Sequence, residues 1–441
     1  MNVVQRENSG LAAKMFTFVF DNSLLLIAGA AAGIIWSNAA HDNYLHFTHA
    51  SLLVNQYIGT LKDGYRVIDV HFLVNDILMA VFFAMAGREV WSALLPGGAL
   101  SSPRRAAVPV ACAVGGMIGP AAIYLAGAAV FGRLGELGSG WAIPCATDIA
   151  FSYMVARALF GDRHPAIPFL LLLAIVDDAL DLLVLTLFFP QEAVQPAWLA
   201  MSLAGVGVGV TFWFLHVRSF WWYLLIPGTM SWMGFAFAGL HPALGLLPIV
   251  PTIPHVHLRQ WHVGWDFVRK GDAHQFEYYL KRPVEIILGL FGLLNAGVLL
   301  IWPGSEQLTV TLLVLGGLVI GKPLSICLTA GICTRVFKLQ LGKGLTGQDM
   351  VVLGCAAGIG FTVSLFVATV AFPEGPVQDA AKMGALLSFL AAGAAWLMAR
   401  LVVIRKYPAV HPPQDRGGVD EMVETVVPAV APCDADGGRS E

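Results

Sequence analysis

AIPFLLLLAIVDDALDLLVLTLFF (166–189) is apolar enough and long enough to cross a bilayer, yet Asp177, Asp178 and Asp181 stand at its middle. A transmembrane helix needs about 20 apolar residues, and each acid at its centre opposes insertion by roughly 2.5–3.5 kcal/mol. Groups that costly persist where they have a partner or a task.

The whole chain reads as membrane-embedded. Of its 441 residues, 57% are hydrophobic and 12% charged, against roughly 25% charged in a soluble domain. A net charge of -3, without an Arg-rich strip interleaved with aromatics, argues against a nucleic-acid partner. Cys112, Cys145, Cys327, Cys333 and Cys355 lie in apolar stretches and Cys433 in a polar tail, which suits core residues better than a disulfide framework. Residues 24–36 are not followed by a small-residue cleavage site and read as a retained first span.

The hydrophobic runs predict an all-α polytopic membrane protein of about twelve transmembrane helices. They lie near 22–40, 70–95, 105–131, 140–160, 166–189, 194–216, 220–238, 240–253, 283–302, 308–333, 349–372 and 380–403. The 240–253 run is too short for a straight crossing. Residues 41–69 are polar and aromatic, with room for a small hairpin, and 252–282 form a loop rich in His, Arg and Glu. Residues 1–404 are expected to make one transmembrane domain. The Pro-, Gly- and acid-rich 405–441 lacks a core-forming pattern and is expected to be a disordered cytoplasmic tail. With both termini inside, every one of the 26 basic residues except Lys62, Arg66, Arg133, Lys382 and the intramembrane Lys322 falls on the cytoplasmic side. That satisfies the positive-inside rule, whereas an odd number of spans would put Arg400, Arg405 and Lys406 outside.

Two spans are interrupted in matching ways. GWAIPCATDIAF (140–151) carries Pro144, which removes a backbone donor in mid-membrane, and GCAAGIGFTVSLF (354–366) carries Gly354, Gly358 and Gly360. Each is the middle member of a group of three spans, and the two groups start on opposite faces of the membrane. Inverted repeats with paired breaks point to a secondary transporter, built on two discontinuous crossed helices, with its site at the midplane.

The runs NDILMAVFFAMAGREV (75–90), GWAIPCATDIAF (140–151), VDDALDLLVL (176–185), NAGV (295–298), IGKPL (320–324) and GIGFTVSLFVATVAF (358–372) resemble the bacterial NhaA sodium/proton antiporters. The resemblance runs from about residue 16 to 404. That family is among the standard examples of inverted-repeat transporters, so the repeat pattern and the resemblance are one observation, not two. The resemblance implies an antiporter, not an enzyme, that exchanges intracellular Na+ or Li+ for external H+ by alternating access in pH and sodium homeostasis. It also implies a multi-pass protein of the bacterial inner membrane, in contact with lipid and needing no cofactor, and leaves the oligomeric state, a homodimer among the options, open.

A partly dehydrated sodium ion needs hard oxygen ligands. A carboxylate offers those oxygens together with a charge that a proton can cancel, so one site can serve both ions in turn. Adjacent Asp177 and Asp178 point about 100° apart on a helix, which lets one face a cavity and the other a neighbouring helix. The resemblance makes Asp178 the principal ligand of the transported Na+ and Asp177 its partner. Lys322 is the matching charge: it pairs with Asp177 in the family, or it neutralises the carbonyl ends of the broken helices. The sequence leaves both open. Asp148, beside Thr147, has the mirrored part, a negative charge for the positive N-terminal ends of half-helices, with direct cation binding as the alternative. Asp76 lies in the family's NDxLM motif as a supporting residue. Glu89 and Glu277 match acids that the family associates with pH control.

Three departures stand out. Asp181 shares a face with Asp177 where family members carry a small or apolar residue, and adds a third titrating group or a competing partner for Lys322. Ser92 and Ala93 stand where an Arg and a Glu are expected, and Tyr278 and Lys281 where two His are, so the family's pH-sensing set is incomplete here. The loop residues His255, His257, His262 and His274 show no metal-ligand spacing beyond one His-x-His. Other classes fit less well. An intramembrane aspartyl protease needs paired YD and GxGD signatures that are absent, and a channel would be impeded by a Lys among its acids. A sodium-coupled symporter of an organic anion, the nearest alternative, wants an Arg or Ser/Thr cluster beside the breaks.

Overall fold

The computed structural model describes residues 24–402 except 63, 97, 162–163, 255–273, 301–303 and 342–343. The expected tail and the loop residues His255, His257 and His262 lie outside the described residues.

Helix α1 (Leu24–Ala39) and a short α2 (His41–Thr48) precede a three-stranded antiparallel sheet of β1 (Ser51–Asn55), β2 (Thr60–Lys62) and β3 (Tyr65–Asp69), ordered β1-β3-β2. The first loop therefore holds more than a hairpin: β2 and β3 form one, with Gly64 at φ +84° in its turn, and β1 pairs with the other edge of β3. Asp69 ends β3, and its carboxylate accepts the Phe72 N–H at 2.8 Å and Lys62 Nζ at 2.9 Å. Burial works to raise the Asp69 carboxyl, but the His49 imidazole 3.9 Å away and the hydrogen bonds from the Phe72 N–H and Lys62 outweigh it and hold the group below the usual carboxylate range. His49, 3.8 Å from Glu374, is raised chiefly by the Asp69 carboxylate 3.9 Å from its Nδ1.

In chain order follow α3 (Val70–Leu94), α4 (Pro103–Val130), α5 (Leu134–Cys145), α6 (Ile149–Phe160), α7 (Ala166–Phe188), α8 (Pro196–Phe214), α9 (220–238), α10 (His274–Asn295), α11 (Gln307–Arg335), α12 (Gly347–Ala357), α13 (Phe361–Ala371) and α14 (Pro376–Leu401). Among the described residues α3, α4, α8, α11 and α14 are each long and apolar enough to cross a membrane. The pairs α5/α6 and α12/α13 are each bent by 51° at a short break, and bring the number to seven if each pair is one span. Helix α7 has the length, 23 residues, but carries the three acids.

Two predicted spans differ from the structure. The 240–253 run is not an α-helix but successive 3-10 turns, Pro242–Leu244 and Leu247–Thr252, because Pro242, Pro248 and Pro251 remove the donors that a continuous α-helix would use. The run expected at 283–302 is helical from His274 to Asn295. Its first turns are too polar to register as membrane span, and after Asn295 the chain leaves the helix, held by Asn38 through the Val298 carbonyl at 2.9 Å and the Leu300 N–H at 2.8 Å.

The buried apolar side chains form two large cores, and the charged residues of interest lie between them. Helix α7 gives Ile167, Leu170, Leu173 and Val176 to one core and Leu182 and Leu185 to the other, so its acids fall at the boundary. Helix α11 does the same with Leu318 and Ile326 on either side of Lys322. Helix α1 closes on α10 without side chains between them: a Cβ on Gly33 would lie 3.1 Å from the Leu293 carbonyl carbon, the close approach that small residues permit in membranes.

Overpacking a helix contact of this kind costs about 1–3 kcal/mol. Gly33→Leu is therefore expected to lower the thermal midpoint of the purified protein by several degrees. Gly207→Leu, on α8 with nothing within 4 Å of its Cβ position, should leave it unchanged. Equal midpoints for both variants would contradict this packing.

The ionic contact at the sheet carries its own expectation. A raised His49 contributes stability that is complete below its ordinary 6.5 and is lost as pH rises through its folded value. A depressed Asp69 contributes stability present above its ordinary 3.8 and lost as pH falls through its folded value. The destabilisation caused by His49→Ala should then be largest between those two pH values and shrink on the alkaline side, as measured by thermal midpoints across pH.

Candidate functional site

The site is built where the two bent pairs meet. Helix α5 ends in 3-10 turns, Gly138–Cys145, in which Pro144 has no N–H to donate. Ala146 and Asp148 are extended before α6 begins. The break between α12 and α13 runs through Gly358 and Gly360. A side chain on Gly360 would come within 2.8 Å of Leu318 Cδ2 and 2.9 Å of the Ala146 carbonyl oxygen, so glycine is what lets the two breaks touch.

Hydrogen bonds cross this contact in both directions. The Asp148 N–H donates to the Ile359 carbonyl at 2.7 Å, the Thr147 hydroxyl to Ala357 at 3.0 Å, the Ser152 hydroxyl to Ala356 at 2.8 Å and the Ser364 hydroxyl to Ile143 at 2.7 Å. Backbone groups freed by each break thus find partners in the other, as irregular chain at membrane depth requires.

The charges follow the helix ends. Asp148 Oδ1 accepts the Phe151 N–H at 3.3 Å in the first turn of α6. Its Oδ2 accepts the Thr362 N–H at 3.2 Å and the Thr362 hydroxyl in the first turn of α13. One carboxylate therefore caps two positive helix ends. Lys322 Nζ donates to the Cys145 carbonyl, at the negative end of α5, and to Asp177 Oδ2 at 2.6 Å, with both side chains fully buried. One ammonium faces both the helix end and the acid. A π turn, Gly317–Gly321, delivers Lys322 to this position. Pro323 behind it has no N–H, and widened turns of this kind concentrate at functional sites.

Along α7, Asp177 and Asp181 are buried while Asp178, rotated to the next face, is half-buried. Asp177 Oδ1, Asp178 Oδ1 and Asp181 Oδ2 are buried and accept no hydrogen bond from the described residues. An oxygen desolvated without a donor is costly, and a proton or a cation would relieve it. Among the described residues no three His, Cys, Asp or Glu side chains converge as a resident-metal centre requires. A cation at Asp177 and Asp178 would find two carboxylates, with the Cys145 carbonyl one ammonium away.

The other predicted residues are spread more widely. Asp76 is buried in a π turn of α3, Leu73–Leu78, and its carbonyl accepts Trp232 Nε1–H at 2.9 Å. Its Oδ1 lies 3.4 Å from His241 Nδ1 without a hydrogen bond, because that nitrogen already accepts the Ala243 N–H at 3.3 Å. Glu89 is exposed on α3 and within electrostatic reach of Asp178. Glu277 lies on α10, with its side chain, like those of His274 and Tyr278, outside the described residues. Sequence reasoning missed His241, the hydroxyls of Thr362 and Ser364, and the reciprocal amide pair of Asn75 and Asn295, bonded at 3.0 and 2.8 Å between α3 and α10. Both Asn stand in quoted motifs, but no spacing rule relates positions 220 residues apart.

The family model described as Na+/H+ antiporter 1 matches residues 15–399. A protein named Na(+)/H(+) antiporter NhaA from Jannaschia sp. (strain CCS1) is 47% identical over 421 residues, 89% of this chain and 99% of the relative. Its namesakes from Desulfitobacterium hafniense (strain DSM 10664 / DCB-2) and Geotalea uraniireducens (strain Rf4) are 41% and 39% identical, each over 89% of this chain and 97% and 98% of their own length.

Losing a helix cap costs about 0.5–2 kcal/mol, and Asp148 caps two. Asp148→Ala is expected to lower the thermal midpoint well beyond Asp148→Asn, which keeps an acceptor oxygen. An Ala variant as stable as the wild type would show that the half-helix ends do not depend on this carboxylate.

Proposed function

The chain belongs to the Na+/H+ antiporter 1 family, and we propose that it exchanges Na+ for H+ as a multi-pass secondary transporter of the bacterial inner membrane. What carries this reading is the buried Lys322–Asp177 pair, one residue from the half-buried Asp178, at the boundary of the two cores where the broken helices touch. The relatives are named as antiporters, which supports exchange over symport of an organic anion.

In the proton-loaded state Lys322 holds Asp177 and a proton holds Asp178. An arriving Na+ takes carboxylate oxygens from both, displacing the proton from Asp178 and the ammonium from Asp177. A carboxylate oxygen cannot carry a proton and bind Na+ at once, so occupancy is exclusive, and exclusive occupancy is what antiport requires. Alternating access follows from the half-helices moving about their shared contact, with Thr147 and Asp148 keeping the ends compensated and Asp76 and Asp181 supporting the site. Intracellular Na+ or Li+ leaves as external H+ enters, with Glu89 and Glu277 setting the pH response, in pH and sodium homeostasis. Both termini are cytoplasmic in this reading, and residues 1–404 form the transporting domain, with 405–441 as a tail. The protein is a homodimer whose exposed apolar faces, such as Leu203, Leu324 and Leu328, meet lipid.

The test is transport in proteoliposomes with an internal pH dye and Na+, Li+ and K+ added in turn. Na+ should drive proton movement in the wild type, and Asp178→Asn, folded and reconstituted, should fall to the level of protein-free vesicles. Wild-type exchange in Asp178→Asn would remove Asp178 from the site.

A further inference from the structure

Asp181 takes no part in the Lys322–Asp177 pair, yet it stands beside it. Residues four apart on a helix share a face with Cβ atoms about 5–6 Å apart, so Asp181 follows Asp177 by one turn of α7. Only 5% of Asp181 is exposed, and its Oδ2 accepts no hydrogen bond from the described residues. The groups around it are few. Asp177 and Lys322 act on it electrostatically, and the Cys145 thiol of α5 feels all three. On the neighbouring turn, Asp178 is reached by Glu89 of α3 and by Asp148. Helix α4, which packs along α7, has no charged residue between 106 and 130. One ammonium therefore serves three acids, two of them buried and Asp178 half-buried.

We infer that Asp181 is the alternate partner of Lys322: when a cation occupies Asp177 and Asp178, the ammonium moves one turn along α7 to Asp181, which gives up its proton to receive it. The move spans about 5.4 Å, the pitch of the helix, and Lys322 has a flexible four-carbon stem to make it. The inference rests on the antiport site proposed above. Its balance is as follows. Without the cation, the Asp177 carboxylate pairs with the Lys322 ammonium while Asp178 and Asp181 are neutral acids, and the four side chains sum to zero. With Na+ bound there are three carboxylates, one ammonium and one Na+, a sum of minus one. Two O–H bonds break, two protons leave, and Lys322 keeps its own. Asp181 thus becomes a second proton carrier, and the displaced ammonium is never left buried without a counter-charge, a state that would strongly destabilise the site.

Na+-induced infrared difference spectra of the purified full-length protein test this directly. The wild type should lose two protonated-carboxyl bands on Na+ binding, Asp181→Asn should lose one, and Asp181→Glu should restore two. Lys322→Arg, whose guanidinium does not deprotonate, should still lose two. Loss of equal numbers of bands by Asp181→Asn and the wild type would overturn the inference. So would loss of a single band by the wild type, a result that stands whether or not any variant folds. A wild type with no Na+-induced change would instead remove the cation site itself, and the inference with it.

Discussion

A charge placed between two apolar cores has to be answered within a few ångströms, and here Asp148 and Lys322 are each answered by a helix end. Asp148 takes the positive ends of α6 and α13, and Lys322 takes the negative end of α5 and one oxygen of Asp177. Remove the breaks and these two charges would have no helix ends to serve. Without the charges, the breaks would leave helix ends unmatched in a medium of low dielectric, where unpaired polar groups are most costly. The broken helices and the ionisable residues are therefore one design.

That mutual dependence also makes the site changeable. Lys322 has two acceptors at once, and Asp177, Asp178 and Asp181 each keep an oxygen with no donor among the described residues. A fully satisfied network would be rigid. This one has more carboxylate capacity than cation to fill it, which is the condition for a small cation or a proton to be taken up and released.

Much of this was legible in the sequence because the membrane punishes the features concerned. Three acids in one apolar run, Pro144 in another and Gly358 and Gly360 in a third are each conspicuous against lipid, and the structure brings all three runs together. Hydropathy failed where water takes over: the polar start of α10 reads as loop although the helix continues through it. It also failed at 240–253, where three prolines tighten an apolar run into 3-10 turns. The π turns before Lys322 and around Asp76 have no periodic signature, since one extra residue in a turn leaves composition unchanged. The double cap by Asp148 and the Asn75–Asn295 pair are tertiary facts, set by which helices lie side by side.

The central claim is that Na+ and protons compete for the same carboxylates. Calorimetric titration of Na+ into the purified protein tests it most directly, run across pH and in buffers of different ionisation enthalpy so that released protons are counted. The account predicts net proton release on binding and an apparent Kd that falls at least about tenfold per pH unit over the range in which the acids are protonated. Na+ binding that releases no protons and keeps one affinity at every pH would contradict it.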